Sequence, residues 1–352
     1  MADTVNGEIL QLARESRGLT QKKLSQMTHI SQGRISKFER GDVLIPSKDL
    51  AKIARVLDYP KDFFNQQARL RGFGVSGIFH RRRQSISMLK LKKIQAEFNI
   101  RTLEIEKLLN GADIKSENEF HRLDVEDFNG DIEHIAELVR AQWNLPLGPV
   151  NSIVSVIESA GGIVLKYDLG SKKIDAQSRW ISGLPPIFFA NKNTPTDRLR
   201  FTLAHEIGHV IMHRIPTNDI EKQADRFASY FLMRKHEIIP DLKPFSLERA
   251  MSLKLKWKVS IAALIMRAFD LGIITESQKR RFFTRMGVAG YRTSEPITIK
   301  DDEKPTTIRQ IVKTYQQEYN YTTSDLCKML SISETDFRVR YLKAPPLRIY
   351  KF

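Results

Sequence analysis

Cysteine is almost absent from this 352-residue chain. Cys327 alone cannot close an internal disulfide, which agrees with a reducing compartment. It also excludes a metal site built from several thiolates, so any bound metal must use histidine and carboxylate. Long apolar runs are missing as well: none approaches the roughly 18 residues that span a bilayer, and no membrane partner is expected. The start, Met1-Ala2-Asp3-Thr4-Val5-Asn6-Gly7-Glu8, has neither the basic residues nor the apolar core of a secretory signal, so a cytoplasmic location is expected. Acid is scarce relative to base. With 57 Lys and Arg against 41 Asp and Glu, the net charge of +16 favours a polyanionic partner. The excess is uneven: residues 66–110 carry 10 basic and 3 acidic side chains, whereas residues 111–150 carry 3 and 9.

Two or three domains suit this length. Residues 1–68 read as four or five short helices, with Thr20, Ser31 and Ser47 as N-caps. Residues 69–128 read as linker and connector. Gly72, Gly74 and Gly77 with His80-Arg81-Arg82-Arg83 suit a flexible basic segment, and a helix follows in which Leu91, Ile94, Phe98, Ile105 and Leu108 recur until Asn110-Gly111 ends it. Arg81, Arg82 and Arg83 with Lys90, Lys92 and Lys93 suit phosphate contacts or a solvated linker equally well. Residues 129–292 mix α and β: Ile132, Ile135, Ala136, Val139 and Trp143 share a helix face, and Ile163 to Tyr167, Trp180 to Ser182 and Ile187 to Ala190 have strand composition. Helices are expected from about Thr196 to His213 and from about Asp219 to Met233, with Pro216 and Asn218 between them. Residues 293–352 read as a charged linker to Thr307 and a last helical unit from Ile308 to Leu342. The expected fold class is α+β, with an all-α N-terminal domain, a central domain with a small sheet and a mainly helical C-terminal region.

Gly18 to Met27 reads as a short helix, Thr28-His29-Ile30 as a tight turn and Ser31 to Arg40 as a second helix. Leu24, Ile30 and Ile35 then face inward. Gln32, Gly33, Arg34, Ser36 and Lys37 lie at the outward start of the second helix, the part that enters a major groove, and Thr20 and Gln21 complete the candidate DNA-contacting set. Glutamine pairs bidentately with adenine and arginine with guanine, while Ser36 or Lys37 suits a phosphate. The run Leu19-Thr20-Gln21, Leu24, Ile30-Ser31-Gln32, Ile35-Ser36-Lys37, Glu39-Arg40-Gly41 resembles the XRE family of phage-repressor-type helix-turn-helix domains. The resemblance implies a double-stranded DNA operator and a homodimer on palindromic sites. Thr323-Ser324-Asp325-Leu326, Leu330-Ser331-Ile332-Ser333 and Phe337 repeat that pattern faintly; a helical packing or dimer module is the favoured reading there.

His205 and His209, four residues apart on a helix, direct ring nitrogens at one ion. Zinc suits two imidazoles and a carboxylate, and Glu206 can take a proton from a metal-bound water whose pKa falls to about 7. A third protein ligand is needed. Metzincin peptidases place Gly and His where this chain has Met212 and Ile215, which excludes that class. A carboxylate is expected instead: Glu221 begins the next helix and Asp225 follows one turn on, an arrangement similar to that of gluzincin peptidases. Glu221 would bind zinc and Asp225 would orient a histidine. His213, on the same face, reads as a helix-terminal or solvated residue rather than a ligand. His236 and Tyr230 read as surface residues.

Asp197 to His209, followed by Glu221 to Ala228 and Phe231-Leu232-Met233, resembles the ImmA/IrrE family of bacterial metallopeptidases over about residues 130 to 240. Gly183 to Phe188 is similar as well, and the stretch from Phe79 to Leu109 resembles the connector of proteins that fuse the two families. One departure is Arg234, where the family commonly has proline. The resemblance implies a gluzincin-like zinc endopeptidase that cleaves a protein substrate, such as an XRE-type repressor, to control stress or mobile-element genes. The competing reading is a transcription factor whose zinc domain is a non-catalytic sensor or peptide-binding module.

Overall fold

A computed structural model of the chain describes residues 5–67, 86–112, 116–214, 219–300 and 302–342. The basic run expected at 69–83 and the helix break at Pro216 and Asn218 lie outside the described residues. The chain divides into two compact units: residues 5–67, 86–112 and 306–342 make up the first, and those described between 116 and 305 the second.

Helix starts and stops in the first unit are encoded locally. Asn6 accepts from the Glu8 amide and opens α1 (Gly7–Ser16), and Thr20 accepts from the Lys23 amide and opens α2 (Gln21–Thr28). His29, at φ 58°, closes α2 in the left-handed region, and Gly41, at 74°, closes α3 (Gln32–Arg40). α4 (Ser47–Leu57) and a short 3-10 turn (Lys61–Asn65) complete the bundle. The expected Leu24, Ile30 and Ile35 are buried, beside Phe38, Ile53 and Phe64. α5 (Met88–Leu109) packs on α1 and adds Ala96 and Ile100, so this helix is part of the unit's core. A buried bidentate pair, Arg14 to Glu39 at 2.6 and 2.9 Å, ties α1 to α3. The close approach of those helices requires Gly7, where a β-carbon would collide with the Phe38 carbonyl.

In the second unit α6 (Ile132–Gln142) and α7 (Ile153–Ser159) precede a sheet of β1 (Ile163–Tyr167), β2 (Ala176–Arg179) and β3 (Ile187–Asn191). Strand order is β1-β3-β2, with β1 parallel and β2 antiparallel to β3. The strand expected at Trp180 to Ser182 lies instead at Ala176–Arg179. Pairing ends where Arg179 faces Ile187, and the chain turns back through Gly183, at φ 81°. Composition misleads there because Ala-Gln-Ser-Arg has no β-branched or aromatic residue; its ladder with β3 makes it a strand. α8 (Thr196–Met212) packs against β2, β3 and α9 (Ile220–Leu232), and α9 also packs on α6. Val164, Phe188, Leu203, Ile207, Phe227 and Phe231 share one core. α10 (Lys235–Leu242), α11 (Leu247–Trp257), α12 (Ile261–Asp270) and α13 (Glu276–Val288) extend it. Among the described residues no helix is long and apolar enough to cross a membrane.

Residues 293–300 and 302–305, within the stretch expected as a linker to Thr307, form a strap bound to this unit. Glu295 accepts from the Ile261 amide at 3.0 Å, at the start of α12, and from the buried Lys254 at 2.6 Å. Glu303 accepts from Ser152 Oγ at 2.8 Å and the Val154 amide at 2.9 Å, at the start of α7, and pairs with the fully buried Arg200. Each glutamate thus meets a helix N-terminus and a cation, which converts a charged stretch into a fixed one.

The C-terminal helices α14 (Thr307–Gln317), α15 (Thr323–Leu330) and α16 (Glu334–Tyr341) fold with the first unit rather than as a separate region. They hold to it through Arg17 and Asp336 at 2.9 Å, Lys107 and Ser331 at 2.9 Å, and Glu104 with Arg340 and Tyr341. The faint repeat is real in form. Thr322 caps an eight-residue helix, Ser331 closes it at φ 57°, Ile332 is buried, and Ser333 caps the next helix, as Thr20, His29, Ile30 and Ser31 frame α2 and α3. Leu326 and Phe337 are buried where the first copy buries Leu24 and Ile35. Its chemistry differs: Glu334 and Asp336 stand where the first copy has Gln32 and Arg34.

Glu303→Ala would leave Arg200 charged, buried and unpaired, which is expected to cost about 3–5 kcal/mol of stability. Chemical denaturation of the purified protein checks this, and an unchanged unfolding midpoint would show that the strap adds nothing to the unit.

Candidate metal centre and DNA-facing surface

α8 is buried along most of its length, and its polar residues are correspondingly placed. His205 and His209 lie one above the other on a single face, and Glu221 in the first turn of α9 reaches the same point. His205 Nε2 is 2.9 Å from His209 Nε2, and Glu221 lies 3.2 Å from His209 Nε2 and 3.7 Å from His205 Nε2. The three ligand atoms all lie within 4.8 Å of one another, so the residues could hold one metal ion. Gly208 permits the two helices to meet, since a β-carbon there would sit 3.2 Å from the Phe227 side chain.

Hydrogen-bond accounting shows why this cluster suits a cation. Asp225 Oδ1 lies 2.8 Å from His205 Nδ1, and a carboxylate accepts, so the ring proton of His205 sits on Nδ1. Gln223 Oε1, 2.9 Å from His213 Nε2, accepts in the same way. Burial, followed by the nearby His209, pushes the His213 pKa down to about 4, so this ring is neutral at pH 7 and its Nδ1 is an acceptor. It takes the Nδ1 proton of His209 across 2.8 Å. In these neutral tautomers both Nε2 atoms turn lone pairs toward Glu221, so three acceptors converge on one point. Two nitrogens and one oxygen so placed form a donor set of the kind that holds a divalent metal ion.

Surplus negative charge shows itself in His205. Burial, the largest influence, disfavours its imidazolium, yet the hydrogen bond to Asp225 and the charges of Glu206, Asp225 and Glu221 outweigh it and raise the pKa above the usual histidine value. Glu206, also buried, accepts on Oε2 from the Ser178 amide at 2.8 Å and the Ser178 hydroxyl at 2.6 Å. β2 thus holds the carboxylate that follows the first histidine. The structure brings His205, Glu206, His209, Glu221 and Asp225 together. His213, Gln223 and Ser178 were not foreseen as parts of this site. His213 is buried and bonded rather than solvated, and only the next helix supplies its partner Gln223. His236 is exposed and Tyr230 stacks on Arg267 at 4.5 Å, and neither joins the cluster. Arg234 forms a local pair with Glu237 at 2.8 Å.

In the first unit Thr20, Gln32, Gly33, Arg34 and Lys37 are exposed and Ser36 is half-buried. Arg34 leans on Asp49 of α4 at 3.0 Å, and Ser36 Oγ accepts from Arg40 at 3.2 Å. Gln21 differs: its amide donates to Glu39 at 2.8 Å, which commits that amide to the inner Arg14–Glu39 network.

Residues 157–269 match the family described as the IrrE N-terminal-like domain, and residues 10–64 match a helix-turn-helix family. No curated protein matches the chain. The chain joins an XRE-type helix-turn-helix domain to an IrrE-like domain of the metallopeptidase type, and the histidine–glutamate cluster lies inside the second match.

Two outcomes are expected. Gln223→Leu removes the acceptor that orders the His213 and His209 rings, and zinc affinity by chelator competition should fall ten- to a hundred-fold. Because a proton competes for His205, whose pKa is held above the usual histidine value, affinity should weaken as pH falls through the neutral range; a flat profile there would contradict the raised pKa.

Proposed function

We propose that this protein is a cytoplasmic DNA-binding regulator whose second unit is a zinc-dependent endopeptidase that cleaves a partner protein to control gene expression. An XRE-type repressor is the substrate that the family likeness favours, in a stress or mobile-element response. The observation that carries the reading is the convergence of His205, His209 and Glu221 with Glu206 fixed beside them. Zinc held by those three residues would supply Lewis acidity toward the scissile carbonyl. Glu206 takes the proton of the attacking water and delivers it to the leaving amine, while Ser178 holds its Oε2 in place. Asp225 and the His213–Gln223 pair keep the ligand rings in the tautomers that present Nε2.

The helix-turn-helix unit would bind an operator as a homodimer, with Gln32 and Arg34 at base edges and Lys37 or Ser36 at phosphates. Thr20 and Gly33 line the same approach, and the backbone at Gln21 contributes more than its committed amide. A second reading, a non-catalytic sensor or peptide-binding module, is favoured by one observation: the Ser178 amide and hydroxyl both donate to Glu206 Oε2, so the fold itself engages that oxygen.

Glu206→Gln separates the two. The variant should keep zinc and DNA binding and lose cleavage of candidate repressors by at least about a hundredfold; cleavage at the wild-type rate would overturn the peptidase mechanism, and absence of cleavage by metal-loaded wild type would favour the sensor. For the reader, Lys37→Ala should reduce the slope of log affinity against log salt by about 1 on any duplex, whereas Arg34→Ala should relax sequence preference. Salt slopes measured by filter binding would show neither change if these residues face away from DNA.

A further inference from the structure

Beside the metal cluster the second unit carries a cleft of about 1400 Å³, with His205 and Asp225 in its wall. Pockets for small molecules are commonly about 300–1,000 Å³, so a stretch of polypeptide suits this space better than a metabolite. Phe201 and Thr202 of α8 and Arg226 of α9 line one side. Met266, Phe283 and Ile297, from α12, α13 and the strap, line the other. That second wall runs past residue 269, where the family match ends, so it belongs to this chain's own architecture. Glu295 and Glu303 fix the strap that completes it.

Six cations and five carboxylates line the cleft, and most of the carboxylates are taken up by partners of their own. Of its carboxylates, Asp175 is engaged bidentately by Arg198 at 2.6 and 2.7 Å, Asp197 and Glu295 share Lys254, and Asp225 serves His205. Asp270 is the remaining acid, near Arg226 and Lys279. Lys192, Lys222, Arg226 and Arg292 are all exposed at the rim. Only Lys222 among these four has a close acid in its own turn, Asp219 at 3.3 Å. The lining pairs an apolar floor, with Met266 exposed on it, and a cationic edge.

We propose that this cleft docks an extended segment of a partner protein in which a short apolar run is flanked by aspartate or glutamate. Apolar side chains cover Phe201, Met266, Phe283 and Ile297, and the flanking acids meet Lys192, Arg226 and Arg292. Docking there leads the segment to the metal cluster, so as a substrate preference the proposal rests on the peptidase reading, whereas binding itself does not.

The test uses full-length, zinc-loaded Glu206→Gln protein and fluorescein-labelled peptides: an apolar core with acidic flanks, the same core with lysine flanks, and a serine core with acidic flanks. Anisotropy should show the first bound at least about tenfold more tightly than either control. Arg226→Glu combined with Arg292→Glu should abolish that preference without changing zinc content. Lys52→Glu with Lys61→Glu, which makes the same change in net charge in the first unit, should leave it intact. Equal affinities for the three peptides, no binding of any, or indifference to the Arg226 and Arg292 reversals would overturn the proposal. Wild-type protein that binds with the expected preference yet cuts nothing would sink the peptidase reading alone. Cutting of all three peptides with no binding preference would sink the docking proposal alone.

Discussion

A helix buried on most of its surface can bury charged and ionisable side chains only where each finds a partner, and α8 buries five: Asp197, Arg200, His205, Glu206 and His209. Satisfying them dictates what the rest of the second unit must supply. Lys254 comes from α11 for Asp197, Glu303 from the strap for Arg200, Ser178 from β2 for Glu206, and Asp225 and His213 flank the two histidines. Remove any of these partners and a desolvated group is left uncompensated, which costs more than a surface contact of the same kind. The sheet register, the position of α9 and the path of the strap are thus consequences of one polar helix held inside an apolar core.

The first unit solves a smaller version of the same problem. Arg14 and Glu39 meet inside the bundle, and Gln21 completes the pair, so three helices are registered against one another before any outward residue is considered. Arg34 is steadied from α4, and Gln32 and Lys37 are also exposed on α3. The C-terminal helices reuse the caps and core spacing of that bundle, but Asp336 is bound by Arg17 and Arg340. In the second copy the position of Arg34 has become a packing contact while Glu334 and Val339 stay exposed, so the caps and the Leu and Ile positions encode the shape and the outward residues its use.

Legibility in the sequence follows the range of the interaction. His205, Glu206 and His209 could be read because their relation is set within one helix, and Glu221 with Asp225 because the same turn spacing repeats in the next. The caps at Thr20, Thr322 and Ser333 are local too. Ser178 could not be read: its strand lacks β propensity, and its link to Glu206 spans the distance between a sheet edge and a helix. Gln223 was hidden for a similar reason, since nothing in spacing says that an amide on α9 will meet His213 at the end of α8. Glu295 and Glu303 misled most, because in sequence a charged stretch between helices looks solvated, and only the folded chain reveals that Lys254 and Arg200 are buried and waiting for acids.

The unequal support of the two histidines has an electrostatic reason. Glu206, Glu221 and Asp225 already place three carboxylates around the cluster, so a divalent cation there leaves about one negative charge in a mostly buried site. Asp225 can be the third of these because its side chain is 62 % exposed and water screens it. The ring behind His209 is that of His213, only 4 % exposed, and a carboxylate in its place would add a second uncompensated charge away from solvent. A neutral histidine backed by a neutral amide does the same orienting work without that charge, and the depressed pKa of His213 keeps it neutral wherever the cluster itself can bind metal.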